Sequence, residues 1–153
     1  VTVAELPTPE ILATLVSNVT ETMFGLRFEL EQGAPNASRE RWRAALLPIA
    51  GPRPLTVAIA TDEQSCVSLG GAMFSCAPGA VDSSMIDDTL TELVNIVAGQ
   101  VKAVLSLDQP LGLPRIVDPN SAAWAPLDHW RSATLTRGGV RSLVWVAVTE
   151  RLL

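Results

Sequence analysis

The sequence has two cysteines, one histidine and no excess of positive charge, and each shortage removes a class of chemistry. Cys66 and Cys76 sit among small and apolar residues, with no CxxC and no histidine cluster beside them. Buried free thiols are therefore a simpler reading than a disulfide or a metal site. His129, the single histidine, lies in a loop next to Trp130, where a structural role is simpler than a catalytic one. There is no GxSxG, no Walker loop and no metal-ligand spacing, so the usual motif-borne chemistries find no foothold. The net charge of −5 disfavours a nucleic-acid partner, because phosphate binding needs a basic surface. The longest strongly apolar run near the C-terminus, Leu143 to Val148, is far too short to span a bilayer. No charged-then-apolar leader opens the chain. The expectation is a cytoplasmic protein with no membrane partner.

What is present is enough for a core. The chain has 153 residues, 48% apolar and 18% charged, which reads as one domain over residues 1–153. A chain of that length can bury about 70% of its unfolded surface without a staple. Thr8-Pro9-Glu10 reads as a helix start, with Thr8 as cap and Pro9 at the first helical position. Ile11, Leu12, Leu15, Val16, Val19 and Met23 then form an apolar stripe, and Gly25 is a stop. Leu26 to Leu30 suits a strand, and Gly33 to Ser38 is turn-rich.

Arg39 to Leu47 suits either helix or strand; the flanking turns and Pro48 favour a strand that ends there. Leu55 to Ala60 reads as a buried strand. Thr61-Asp-Glu-Gln64 has capping-box spacing, followed by a short helix with Cys66, Val67, Leu69 and Met73 inward. Pro78-Gly79 is a loop. Asp82-Ser83-Ser84 offers caps for a long second helix ending near Leu105. Leu113 to Val117 is a candidate strand, and Asp118 to Asp128 a loop. Arg131 to Arg137, Gly138-Gly139 and Val140 to Thr149 read as a hairpin, with Leu143, Trp145 and Ala147 on one face. Trp42, Trp124, Trp130 and Trp145 suit core or interface. The order predicts an α+β fold, with two long helices packed on one face of an antiparallel sheet.

Within the long helix, Asp88, Glu92, Asn95, Gly99 and Lys102 fall inside an arc of roughly 80°. Ile86, Leu90, Leu93, Val97, Val101 and Val104 lie opposite, widened by Val94 and Leu105. One face is core and the other a polar row. Glu92 and Asn95 are one turn apart, so both reach the same small volume. A carboxamide can hold a water by donating and accepting together, and a carboxylate can pair with a partner's lysine. On spacing alone an ordinary solvated face remains the simpler reading. A weak repeat accompanies the row. The first helix carries Ser17-x-x-x-Glu21-x-x-Phe24 against Asp88-x-x-x-Glu92-x-x-Asn95, and both helices precede strand-rich segments.

The run Asp88-x-x-x-Glu92-x-x-Asn95-x-x-x-Gly99-x-x-Lys102 resembles the signature of the CheC/CheX chemotaxis phosphatase family. The helix Asn18 to Gly25, the segment Leu55 to Met73, and Leu113-Pro114 resemble CheX-type counterparts in similar order. The resemblance covers the chain from about Ile11 to Val117 and is looser in the C-terminal hairpin. It implies a pseudo-twofold α-β repeat and hydrolysis of the phosphoaspartate on a CheY-like receiver domain. It implies that Asn95 orients the attacking water and that Glu92 pairs with the receiver's lysine. The receiver would supply the Mg²⁺, this chain binding no cofactor or metal of its own. Phe24 replaces the asparagine of the first helix, so one active helix is expected, as in the CheX subtype, with Phe24 packed and Glu21 solvated. Gln100 departs from the asparagine common after the glycine, off the Glu92–Asn95 face.

Partner contact at Asp88, Gly99 and Lys102 is an extension of the same resemblance. Beside it stand a helix-starting role for Asp88, close helix packing at Gly99 and plain solvation for Lys102. CheX-type relatives form dimers through sheet edges, and the long apolar final strand would be a liability as a lone edge; a homodimer is the expectation. A module on the same fold that binds a receiver or flagellar component without turnover is the alternative function.

Overall fold

A computed structural model describes residues 5–31, 42–119, 130–138 and 142–153. The first helix, α1 (Pro9–Phe24), begins and ends on the expected residues. The Thr8 hydroxyl accepts from the Ile11 amide, and Gly25 closes the helix in the left-handed region at φ 66°, a conformation glycine adopts without a Cβ penalty. Strand β1 is only Glu29–Leu30, the tail of the expected Leu26 to Leu30. Strand β2 (Arg43–Ile49) resolves the ambiguous segment as strand and continues through Pro48. Pro48 lies beyond Leu46, the last residue paired with β4, so its missing N–H interrupts no ladder there.

Strand β3 (Leu55–Thr61) is buried throughout. Helix α2 (Glu63–Phe74) is capped by Asp62, whose side chain accepts from the Ser65 amide, and not by Thr61. The Thr61 hydroxyl instead meets the Cys66 thiol. Cys66 and Leu69 face the core with Met73 partly covered, while Val67 is half-buried and outside it. After a 3₁₀ turn at Pro78–Ala80, Asp82 caps α3 (Ser83–Val104), a helix of 22 residues. Strands β4 (Arg115–Val117), β5 (Arg131–Thr136) and β6 (Leu143–Thr149) follow. Leu113, expected to open β4, is 85% exposed.

The six strands form one antiparallel sheet in the order β1-β5-β6-β3-β2-β4. Exchanging β1, β2 and β3 for β4, β5 and β6 reads the same order backwards. The sheet therefore carries a pseudo-twofold between β3 and β6, and the expected α-β repeat is a real property of the topology. Successive side chains alternate between faces. Val57, Ile59, Leu135, Val144, Val146 and Val148 point to the helices, where all three helices bury their apolar sides. Ala58, Ala60, Leu143, Trp145 and Ala147 point the other way, in a second cluster with Trp130. The Trp130 and Trp145 rings lie 6.0 Å apart, tilted by 58°.

The final strand is central: β6 pairs with both β3 and β5. Its apolar length reflects burial on two faces, and the edge argument for a homodimer falls. The edges are the short β1 and β4. His129, Trp124, Val140 and the Gly33 to Ser38 turn lie outside the described residues.

Candidate functional site on the outer face of α3

The sequence of α3 decides which side is available. Ile86, Leu90, Leu93, Val94, Val97, Ala98 and Val101 are buried against the sheet and the other helices. Val104, placed in that stripe by periodicity, is the last residue of the helix and is 46% exposed, although Val101 before it and Leu105 after it are buried. Asp88 and Glu92 are exposed, and Asn95, Gly99 and Lys102 half-buried, so the five expected residues share one outer row of the helix. Among the described residues none of their side chains has a hydrogen bond or ion pair. Among the described residues nothing takes up the hydrogen-bonding capacity of Glu92 and Asn95.

Gly99 has a clear reading. A Cβ built there meets nothing within 4 Å, so close helix packing does not explain it. The position leaves the middle of the row low. The start of α3 is held from below. The Arg43 guanidinium donates to the Ser83 carbonyl and to the Asp87 carboxylate, both at 2.9 Å, and lies 4.5 Å from the Trp42 ring centroid. Asp87 is committed to this clamp, whereas its neighbour Asp88 is not. The clamp joins residues far apart in sequence, and local pattern carried no signal of it.

The first helix presents a different surface. Phe24 is buried and Glu21 exposed, as expected. Yet the row Ser17, Glu21 and Phe24 is not turned outward as its counterpart is. The buried residues of α1 are Leu12, Ala13, Val16, Val19, Thr20 and Phe24. They centre roughly 90° from that row, against roughly 180° in α3. Between α1 and α3 lies a groove of ≈ 200 Å³, walled by Leu15, Asn18, Val19, Thr22 and Met23 on one side and by Ile96 and Gln100 on the other. Sequence reading missed this groove, since its two walls belong to different helices.

Among the described residues no other candidate competes. Both cysteines are free, and burial pushes the Cys66 thiol up to about 11 despite the Thr61 hydrogen bond, so it carries no thiolate at neutral pH. Among the described residues no group of three or more His, Cys, Asp or Glu is placed to hold a metal. No described helix is long and apolar enough to cross a membrane.

The fold and the α3 row together define a CheC/CheX-like α+β domain. Its architecture matches the chemotaxis protein CheX of Vibrio vulnificus, with a TM-score of 0.73 at 17% identity, over 95% of this chain and 99% of that one. The CheX of the CheX–CheY–BeF3–Mg complex from Borrelia burgdorferi matches with a TM-score of 0.70 at 15% identity, over 95% and 98%. The FliM middle domain of Vibrio alginolyticus matches with a TM-score of 0.60 at 14% identity, over 90% and 88%. At these identities the matches show the fold. No curated protein sequence matches the chain. The family model "Chemotaxis phosphatase CheX" matches residues 43–130, more than half of the sequence, and the chain belongs to the CheX chemotaxis phosphatase family. The match includes α3 and leaves out α1.

Proposed function

We propose that this protein accelerates hydrolysis of the phosphoaspartate on a CheY-like receiver domain, using α3 as its only active helix. The observation that carries the reading is the Glu92–Asn95 pair, without a partner among the described residues, on the outer row of a CheX-family helix. Asn95 is the catalytic group. Its carboxamide oxygen accepts from a water and its N–H₂ donates to the same water, holding it in line with the phosphorus. The water oxygen forms the new bond to phosphorus as the bond to the aspartyl oxygen breaks. Inorganic phosphate and the receiver's free carboxylate result, with the water's proton released to solvent.

Glu92 pairs with a lysine of the receiver and fixes the register. Asp88 and Lys102 extend the contact, and Gly99 gives the incoming backbone room. The receiver supplies the Mg²⁺ that neutralises the phosphoryl charge; this chain contributes position, which dominates such transfers. A receiver substrate places the activity in the cytoplasm. A homodimer belongs to the same reading on family resemblance alone, and a monomeric mass by light scattering would remove it.

The test is the decay of a phosphorylated CheY-type receiver with and without the protein. The parent chain should accelerate it, Asn95→Ala should all but abolish the acceleration, and Glu92→Ala should weaken it. Equal acceleration by both variants would falsify the catalytic assignment. Because the same fold occurs in a FliM middle domain, a binding module without turnover is the second reading. Receiver binding with unchanged decay would select it.

A further inference from the structure

The row on α3 is too small to hold a protein alone, and the groove beside it supplies what is missing. From Asp88 to Lys102 the helix rises roughly 21 Å, with a face about 10 Å wide, so the row offers on the order of 200 Å². A stable protein complex covers about 800 Å² on each partner. The contact must therefore extend over one flank of α3. On one flank stand Asp87 and Arg43, already joined in an ion pair. On the other stand Ile96, next to Asn95, and Gln100, next to Gly99, and these two form a wall of the groove against α1.

The opposite wall is apolar where a surface helix would ordinarily be polar. Leu15, Val19 and Met23 line it, Met23 is 39% exposed, and Ile11, one turn from Leu15, is 42% exposed. Thr22, Asn18 and Gln100 give the rim hydrogen-bonding groups. An apolar floor with a polar rim is the anatomy of a site that anchors one buried side chain of a protein partner.

We infer that the α1–α3 groove receives an apolar side chain from the same receiver domain whose phosphoaspartate faces Asn95, and that Thr22, Met23 and Ile96 help set which receiver is accepted. The inference rests on the proposed phosphatase reading and deepens it. It also gives α1 a role that its Ser17, Glu21 and Phe24 do not suggest. The helix acts through its groove-facing flank, as half of a socket.

The experiment measures binding to a CheY-type receiver loaded with beryllium fluoride and Mg²⁺, alongside decay of the phosphorylated receiver. Thr22→Trp fills the groove, and Met23→Ser removes part of its apolar wall; both positions are exposed, so the fold should hold, as a thermal melt would show. Each variant should weaken binding about tenfold or more. Asn95→Ala should bind as the parent does and fail to accelerate decay. If both groove variants bind like the parent while Asn95→Ala is inactive, the groove inference fails and the phosphatase reading stands. If Asn95→Ala stays fully active, or the parent chain binds no receiver, the phosphatase reading fails and takes the groove's assignment with it. If the groove variants change the oligomeric mass and leave receiver binding untouched, the occupant is a second copy of this chain, and the inference is overturned.

Discussion

Helices α1 and α3 occupy equivalent places in a pseudo-symmetric sheet, yet they divide the work. In α3 the acid–carboxamide row points away from the core, and its side chains make no hydrogen bond among the described residues. In α1 the corresponding row is turned by roughly a quarter circle, and its third member, Phe24, is buried beside the helix end. One helix presents an outward polar row and the other presents packing. The difference between the two helices is thus more than one residue: the whole row of α1 lies roughly 90° nearer the core than that of α3. A duplicated scaffold tolerates this because the core needs apolar volume from both helices and the proposed reaction needs a carboxamide from only one.

The contrast can be broken most forcefully at Phe24. Phe24→Asn supplies the missing carboxamide, but at a buried position in the last turn. It should cost about 3 kcal/mol of stability by chemical denaturation and create no second active helix. Activity that doubles per folded molecule would undo the contrast. Asn95→Ala should show the reverse pattern: roughly 100-fold less acceleration of receiver dephosphorylation with an almost unchanged melting temperature.

The two glutamates sharpen the comparison further. Glu92→Ala should weaken the effect of the protein on receiver decay about tenfold, through loss of a charge pair at the contact. Glu21→Ala should stay within about 0.5 kcal/mol of the parent in stability and match it in activity. The glycines should show modest effects of opposite sign. Gly99→Ala should raise stability by about 0.5–1 kcal/mol, since helical glycine is unfavourable and its Cβ meets nothing, while weakening receiver binding. Gly25→Ala should lower stability by about 1 kcal/mol, because the residue sits at φ 66°. A Gly99→Ala variant that gains stability and binds as before would show that the clearance has no purpose.

Much of this was legible before the structure. Thr8, Gly25 and Asp82 mark helix ends because capping is local. The row and the stripe of α3 follow from one period, and flanking turns and Pro48 favour strand over helix for Arg39 to Leu47, although the strand runs on through Pro48 to Ile49. What failed depended on neighbours distant in sequence. Val104 belongs to the stripe by angle but, as the last residue of the helix, is exposed between the buried Val101 and Leu105. Thr61 lost the cap to Asp62 because it ends β3, with its hydroxyl turned to Cys66. The apolar run of β6 gave no sign of whether it was an edge or a centre, since both faces of the sheet are covered. The groove walls and the Arg43–Asp87 clamp join separate elements, and no local pattern encodes them.

The order of the sheet has a consequence for how such a molecule can change over time. Strand β1 belongs to the first repeat but is paired to β5 of the second, and β4 belongs to the second but is paired to β2 of the first. The halves hold each other by exchanged outer strands, like two hands with crossed fingers. Neither half can be cut away without leaving the other open at its rim. A helix without the acid–carboxamide pair therefore cannot simply be discarded, and any use for α1 must arise in place.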